Sequence, residues 1–256
     1  MWRNIATRAL MLLIPALSAC GAQAPGDAPR AAQRAVPVSV TASKPAPAPA
    51  ARPAISVPVP ATPLVVFLGD SLTAGLGLDE NQAYPALLER QLREEGKAVR
   101  VVNAGVSGDT TAGGLARIGW ILGQHPDLVV VALGANDGLR GLPLTEVETN
   151  LREIIRRSRE AGARVLLLGM RLPPNYGPYA EQFTALYPKL AKELDVPLVP
   201  FLLDKVGGIR SLNQADGIHP TAEGQEIVAR NVRPYLEEML AAKPALKSAT
   251  GGRGSR

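Results

Sequence analysis

Between Leu64 and Leu240, short runs of consecutive apolar residues alternate with longer segments in which apolar positions recur every three or four residues. Leu64–Leu68, Val99–Val102, Leu128–Leu133, Val165–Leu168 and Pro197–Pro200 are the short runs. Runs of this length and composition predict strands buried on both faces. The segments Pro85–Glu95, Gly114–Leu122, Leu144–Ala161, Tyr179–Leu194 and Thr221–Leu240 predict helices. In the third of them Val147, Leu151, Ile154, Ile155 and Ser158 step along one face with charges opposite, the pattern of a helix half-buried against a core. Strict strand–helix alternation demands a parallel sheet with helices on both faces, because right-handed crossovers connect parallel strands. The expected fold class is therefore α/β, with a five-stranded parallel sheet between two helical layers, over residues 63–242.

Outside that span the pattern changes. Arg3 and Arg8 precede an eleven-residue apolar run at 9–19, ALMLLIPALSA. A membrane-spanning helix needs about 20 apolar residues, so the run reads as a secretory signal peptide over 1–19. Residues 20–62 are rich in Ala and Pro, with stretches such as KPAPAPAARPA. Such a segment buries too little apolar surface to offset its ordering entropy, which predicts a disordered linker. The 243–256 tail is expected to be disordered as well.

Charge follows the same division. The chain carries +5 overall; residues 1–62 contribute +5, residues 241–256 contribute +4, and the core between them carries −4. A nucleic-acid partner requires a basic face on the folded domain, and none is evident in this distribution, so no nucleic-acid partner is expected. The chain has one cysteine, Cys20, so no internal disulfide can form.

In parallel α/β sheets, sites lie beyond the carboxyl ends of the strands. Four polar clusters sit there: Gly69-Asp70-Ser71 after the first strand, Gly108-Asp109-Thr110 after the second, Asn136-Asp137-Gly138 after the third, and Asp216-Gly217-Ile218-His219 after the fifth. Nucleophilic hydrolysis needs a hydroxyl, a base, a group that orients the base, and donors for the oxyanion. Ser71 is the candidate hydroxyl. Only His125 and His219 are available as bases. His125 precedes the third strand and belongs to the opposite rim, whereas His219 lies on the rim of Ser71 and has Asp216 three residues before it. Taken singly, each residue has an ordinary structural reading: Ser71 as a helix N-cap, Asn136 in a turn, Gly108 in a tight loop, Asp216 capping a turn, His219 as a surface residue. Asp70 and Asp109 are expected to hold the loops in shape.

The motifs GDSL at Ser71, Gly-Asp-Thr at Gly108, GANDG at Asn136 and DGIHP at Asp216–His219 resemble the four blocks of the SGNH (GDSL) hydrolase superfamily. NDGLRG at 136–141, RLPPNYGPYA at 171–180 and YPKLAKELDVPLVPF at 187–201 resemble its thioesterase I, lysophospholipase L1 and arylesterase branch. The resemblance implies a flavodoxin-like three-layer fold. It also implies Ser71 as nucleophile, Asp216 and His219 as the rest of a triad, and Gly108 and Asn136 in the oxyanion hole. The substrates implied are small acyl esters, thioesters or lysophospholipids; separately, the sequence holds no metal-ligand cluster, so no metal and no cofactor are expected, and the chain is expected to be a monomer. Leu139, Leu142, Leu172 and Pro173 are expected to wall an acyl pocket. Leu17-Ser18-Ala19-Cys20 resembles a bacterial lipobox. With Gly21 following, this implies a lipidated Cys20, a membrane anchor, and a periplasm-facing lipoprotein of the outer membrane. Two rivals share the scaffold, a carbohydrate O-deacetylase and a non-catalytic envelope binding protein. A dinucleotide-binding domain is disfavoured, since no G-x-G-x-x-G follows the first strand.

Overall fold

A computed structural model describes residues 62–242. The expected signal peptide, Cys20, nearly all of the expected linker and the 243–256 tail therefore lie outside the described residues. Five strands form one sheet: β1 (Leu64–Gly69), β2 (Arg100–Gly105), β3 (Leu128–Ala132), β4 (Arg164–Leu168) and β5 (Leu198–Val199). All pairings are parallel, in the order β2-β1-β3-β4-β5. Val66 stands opposite Val102 on one side and Val129 on the other. Every residue of β1 and β3 is buried, which is why they read as unbroken apolar runs.

The helices are α1 (Ser71–Ala74), α2 (Tyr84–Glu94), α3 (Thr111–Leu122), α4 (Ala135–Leu139), α5 (Leu144–Glu160), α6 (Pro178–Leu194) and α7 (Ala222–Ala241). α2 packs with α7, and α5 packs between α3 and α6, so the sheet is covered on both faces. The five predicted helices are present with ends moved by up to three residues. α3 starts at Thr111 because Thr110 caps it, its hydroxyl accepting from the Gly113 N–H at 3.2 Å. Among the described residues no helix is long and apolar enough to cross a membrane.

Two features were not expected. The short helices α1 and α4 are too brief to show a hydrophobic period, yet they begin directly after β1 and shortly after β3. Strand β2 runs on to Gly105 through a polar residue: Asn103 donates to the Thr73 carbonyl at 2.8 Å and accepts from the Gly105 N–H at 3.0 Å. This ties β2 to α1. Their approach is so close that a Cβ on Gly105 would sit 2.3 Å from the Ala74 nitrogen and 2.8 Å from the Asp70 carbonyl oxygen. Both are backbone atoms with no room to yield, so glycine is required there.

The chain leaves β1 toward β2 on one side and returns past it to β3 on the other. The carboxyl ends of β1 and β3 are thus the topological switch point, where an open α/β sheet leaves a crevice. Ser71 and Asn136 flank that crevice.

Candidate active site

Ser71 is the first residue of α1 rather than its cap. The capping group is Asp70, whose carboxylate accepts from the Leu72 N–H at 3.0 Å. This frees the Ser71 hydroxyl, which lies 2.8 Å from Nε2 of His219. Nδ1 of His219 lies 2.6 Å from Oδ2 of Asp216. The other Asp216 oxygen accepts from the N–H groups of Ile218 and His219, at 2.9 and 3.0 Å. One carboxylate thus shapes its own loop and fixes the imidazole, with Nδ1–H facing Asp216 and Nε2 free to accept from Ser71. The His219 hydrogen bond, then the two backbone donors, hold the Asp216 pKa down at about 2. The loop is anchored by the Gln214 N–H donating to the His219 carbonyl at 2.7 Å and by the Gln214 amide donating to the Leu76 carbonyl at 2.6 Å. His125 is exposed and precedes β3 on the opposite rim.

Three groups on this rim are available as oxyanion donors. The Ser71 and Gly108 N–H groups have no hydrogen-bond partner among the described residues. Gly108 has φ +81°, a conformation that favours glycine and orients the loop. Asn136 sits inside α4, not in a turn. Its amide donates to the Asp109 carbonyl at 2.9 Å and, over a longer 3.3 Å, to Asp70. The five residues expected at the site therefore meet on one rim.

The profile of the GDSL-like lipase/acylhydrolase family matches residues 67–227, a span that holds Ser71, Gly108, Asn136, Asp216 and His219. The chain belongs to this family. Such a member is a serine carboxylic ester hydrolase acting on small acyl substrates. The chain is 48% identical to Esterase TesA of Pseudomonas aeruginosa over 182 residues, 70% of this chain and 90% of that protein. It is 46% identical to the Thioesterase 1/protease 1/lysophospholipase L1 of Escherichia coli, again over 70% of this chain and 86% of that one. A crystal structure of TesA matches with a TM-score of 0.67, covering 69% of this chain and 99% of that chain.

In this GDSL-family hydrolase a cavity of about 350 Å³ opens beside the serine, with Leu72, Leu139, Leu172, Pro173, Phe201 and Ile218 on its walls. Leu139, Leu172 and Pro173 are where the sequence placed them. Leu142 is a correction: it does not line the cavity. The turn at Gly141 folds the chain back, with the Leu142 N–H on the Asp137 carbonyl and the Leu142 carbonyl accepting from the Tyr179 hydroxyl at 2.6 Å.

Three arginines on this rim escaped sequence reasoning. Arg117 spans three elements, donating to Asp109 at 2.8 Å, the Ala104 carbonyl at 2.7 Å and the Gly69 carbonyl at 2.9 Å. It fastens the loop of Gly108 to the ends of β1 and β2. Arg140 donates to the Gly108 carbonyl at 3.0 Å. Arg171 makes neither kind of contact. The only signal for Arg117 was its place on the predicted second helix, and a lone helical arginine is ordinarily a solvated one.

Asp70 is fully buried, and that desolvation is the largest cause pushing its pKa up to about 6. The sign follows from linkage. The folded state holds this proton more tightly than the unfolded chain, so stability falls as pH rises from about 4 to about 6. Against Asp70→Asn, which cannot titrate, wild type is expected to lose up to about 3 kcal/mol across that window. Urea unfolding of both proteins at pH 4, 5, 6 and 7 measures it; a stability difference that stays constant with pH would show that Asp70 does not titrate there.

Proposed function

We propose that the chain hydrolyses lipid-like acyl esters by two-step acyl transfer. His219 takes the proton of Ser71 as Oγ attacks the carbonyl carbon. The oxyanion is held by the Ser71 and Gly108 N–H groups and the Asn136 amide. As the tetrahedral intermediate collapses, His219 passes its proton to the leaving alcohol or thiol. Water then repeats the sequence on the acyl-enzyme, and Asp216 stabilises the imidazolium in both halves. The observation that carries this reading is the continuous Asp216–His219–Ser71 relay ending beside two unpaired N–H groups and an apolar cavity. A binding protein has no use for such a relay.

The apolar cavity favours a hydrocarbon acyl chain over an acetylated sugar, which would fit a shallow polar cleft. Lysophospholipids are the substrates we favour. The leader and lipobox-like segment support an exported, lipid-anchored enzyme facing the periplasm, with Cys20 as the lipidated residue. In that compartment lipid esters are at hand and cytosolic acyl thioesters are not.

The test is hydrolysis by the full chain of p-nitrophenyl esters from C2 to C16, beside lysophospholipids and acetylated polysaccharide. Turnover that rises beyond the shortest acyl chains, with fatty acid released from lysophospholipid, is expected. Activity confined to short soluble esters would remove the lipid-ester reading, and release of acetate alone would install the deacetylase in its place.

A further inference from the structure

Among the residues that line the 350 Å³ cavity, Arg171 is the single charged one. It stands just beyond β4, and its guanidinium carbon lies 4.8 Å from the centroid of the Phe201 ring, itself just beyond β5. The guanidinium thus lies over the face of an aromatic ring, a favourable cation–π contact. Its rim neighbours are committed: Arg117 to Asp109 and two carbonyls, Arg140 to the Gly108 carbonyl. Arg171 is not. Among the described residues no carboxylate lies within 4.0 Å of it, and no hydrogen bond uses its N–H groups. Asp204 borders an adjoining cavity of about 270 Å³, which Arg171 and Phe201 also line, without forming an ion pair.

Arg171 is exposed at the edge of the cavity, and a cation without a counter-charge beside otherwise apolar walls attracts an anionic group of a bound ester. Guanidinium is weakly hydrated, tolerates apolar and aromatic surfaces, and presents paired N–H groups that match a phosphate or a carboxylate. An anion arriving there meets no carboxylate of the protein's own to displace.

We infer that Arg171 forms an anion subsite, and that the preferred substrates are acyl esters carrying a phosphate or carboxylate in addition to the scissile bond. This rests on the ester-hydrolase reading and narrows it. The anion can enter from two sources: on the alcohol side, as the phosphate of a lysophospholipid headgroup, or on the acyl side, as a distal carboxylate. In either case Arg171 binds and orients; it transfers no proton.

The experiment uses two matched pairs. One pairs oleoyl lysophosphatidic acid with oleoylglycerol, which differ by a phosphate on the alcohol. The other pairs the p-nitrophenyl half-ester of suberic acid with p-nitrophenyl octanoate, which differ by a carboxylate on the acyl group. Wild type, Arg171→Gln, Arg171→Lys and the control Arg230→Gln on α7 are compared as full chains. In at least one pair wild type is expected to prefer the anionic member. That ratio of kcat/KM should fall tenfold or more in Arg171→Gln, mainly through KM. Arg171→Lys should regain part of it, and Arg230→Gln should leave it in place. The pair that responds names the side on which the anion sits. Equal losses for both members of each pair, or ratios unmoved by Arg171→Gln, would overturn the inference. Equilibrium binding of the first pair to Ser71→Ala, with and without Arg171→Gln, is measured in parallel. If wild type cleaves none of the four esters, the hydrolase reading fails on its own, and the binding ratio still decides whether Arg171 selects anions.

Discussion

Ser71→Ala is expected to lower kcat/KM for p-nitrophenyl esters by about 10⁴-fold or more, with substrate binding retained. The hydroxyl is the only group of this residue used in the relay, 2.8 Å from His219. The backbone N–H at position 71 stays in place, as do the Gly108 N–H and the Asn136 amide. What remains after the substitution is oxyanion stabilisation without an attacking atom, so any residual rate reports those donors. His219→Ala should cost a similar factor, and the double variant should be no worse than either single one, because nucleophile and base act as a unit. Steady-state kinetics of the three variants, with thermal melting to show that each is folded, decide the matter. If Ser71→Ala keeps a tenth of wild-type activity, the nucleophile lies elsewhere, and Ser107 on the neighbouring loop is the next residue to replace.

The second large effect concerns Asp216. Asp216→Asn should lower kcat by roughly 10³–10⁴-fold, and by more than Asp216→Ala does. The reason is the tautomer. Two backbone N–H groups point at one oxygen of this side chain, so an asparagine would keep its oxygen there and turn its amide toward Nδ1 of His219. That amide is a donor, so Nδ1 must become the acceptor and Nε2 must carry the proton, leaving nothing to deprotonate Ser71. Alanine imposes no tautomer. The Asp216 side chain is 45% exposed, so water can take its place and the productive tautomer stays accessible. A more active Asn variant than Ala variant would refute this account. Because the folded pKa of Asp216 is depressed to about 2, the carboxylate stays ionised down to strongly acidic pH. Its contribution to the fold is present above about pH 4 and lost only as pH falls toward 2.

The distribution of donors at the site also explains where sequence reasoning stopped. Asp70 and Asp109 were expected to hold loops, and both do, by different means. Asp70 caps α1 from a buried position and touches the Asn136 amide. Asp109 receives Arg117 and offers its carbonyl to the same amide. Some of these partners are near in sequence, as Arg117 is to Asp109, but the Asn136 amide that both aspartates meet comes from 66 and 27 residues away. No local pattern announces that Arg117, among 18 basic residues of the core, also reaches the Gly69 carbonyl 48 positions away.

The sequence alone determined the strands, the five long helices and the rim on which the chemistry would lie. Each of those properties is encoded over a few neighbouring residues: an unbroken apolar run, an apolar stripe every three to four positions, a polar cluster at the end of a strand. The resemblance of four short motifs to a known family, a local feature too, singled out Ser71, Gly108, Asn136, Asp216 and His219. Tertiary structure alone decided the strand order with its switch point at β1, the burial that raises the Asp70 pKa, the exclusion of Leu142 from the cavity and the inclusion of an unpaired Arg171. The Ser71–His219 bond joins residues 148 positions apart. Contacts of that range are set by how crossovers stack the layers and by which side chains fill the space between them, and that packing is a property of the whole chain rather than of any segment of it.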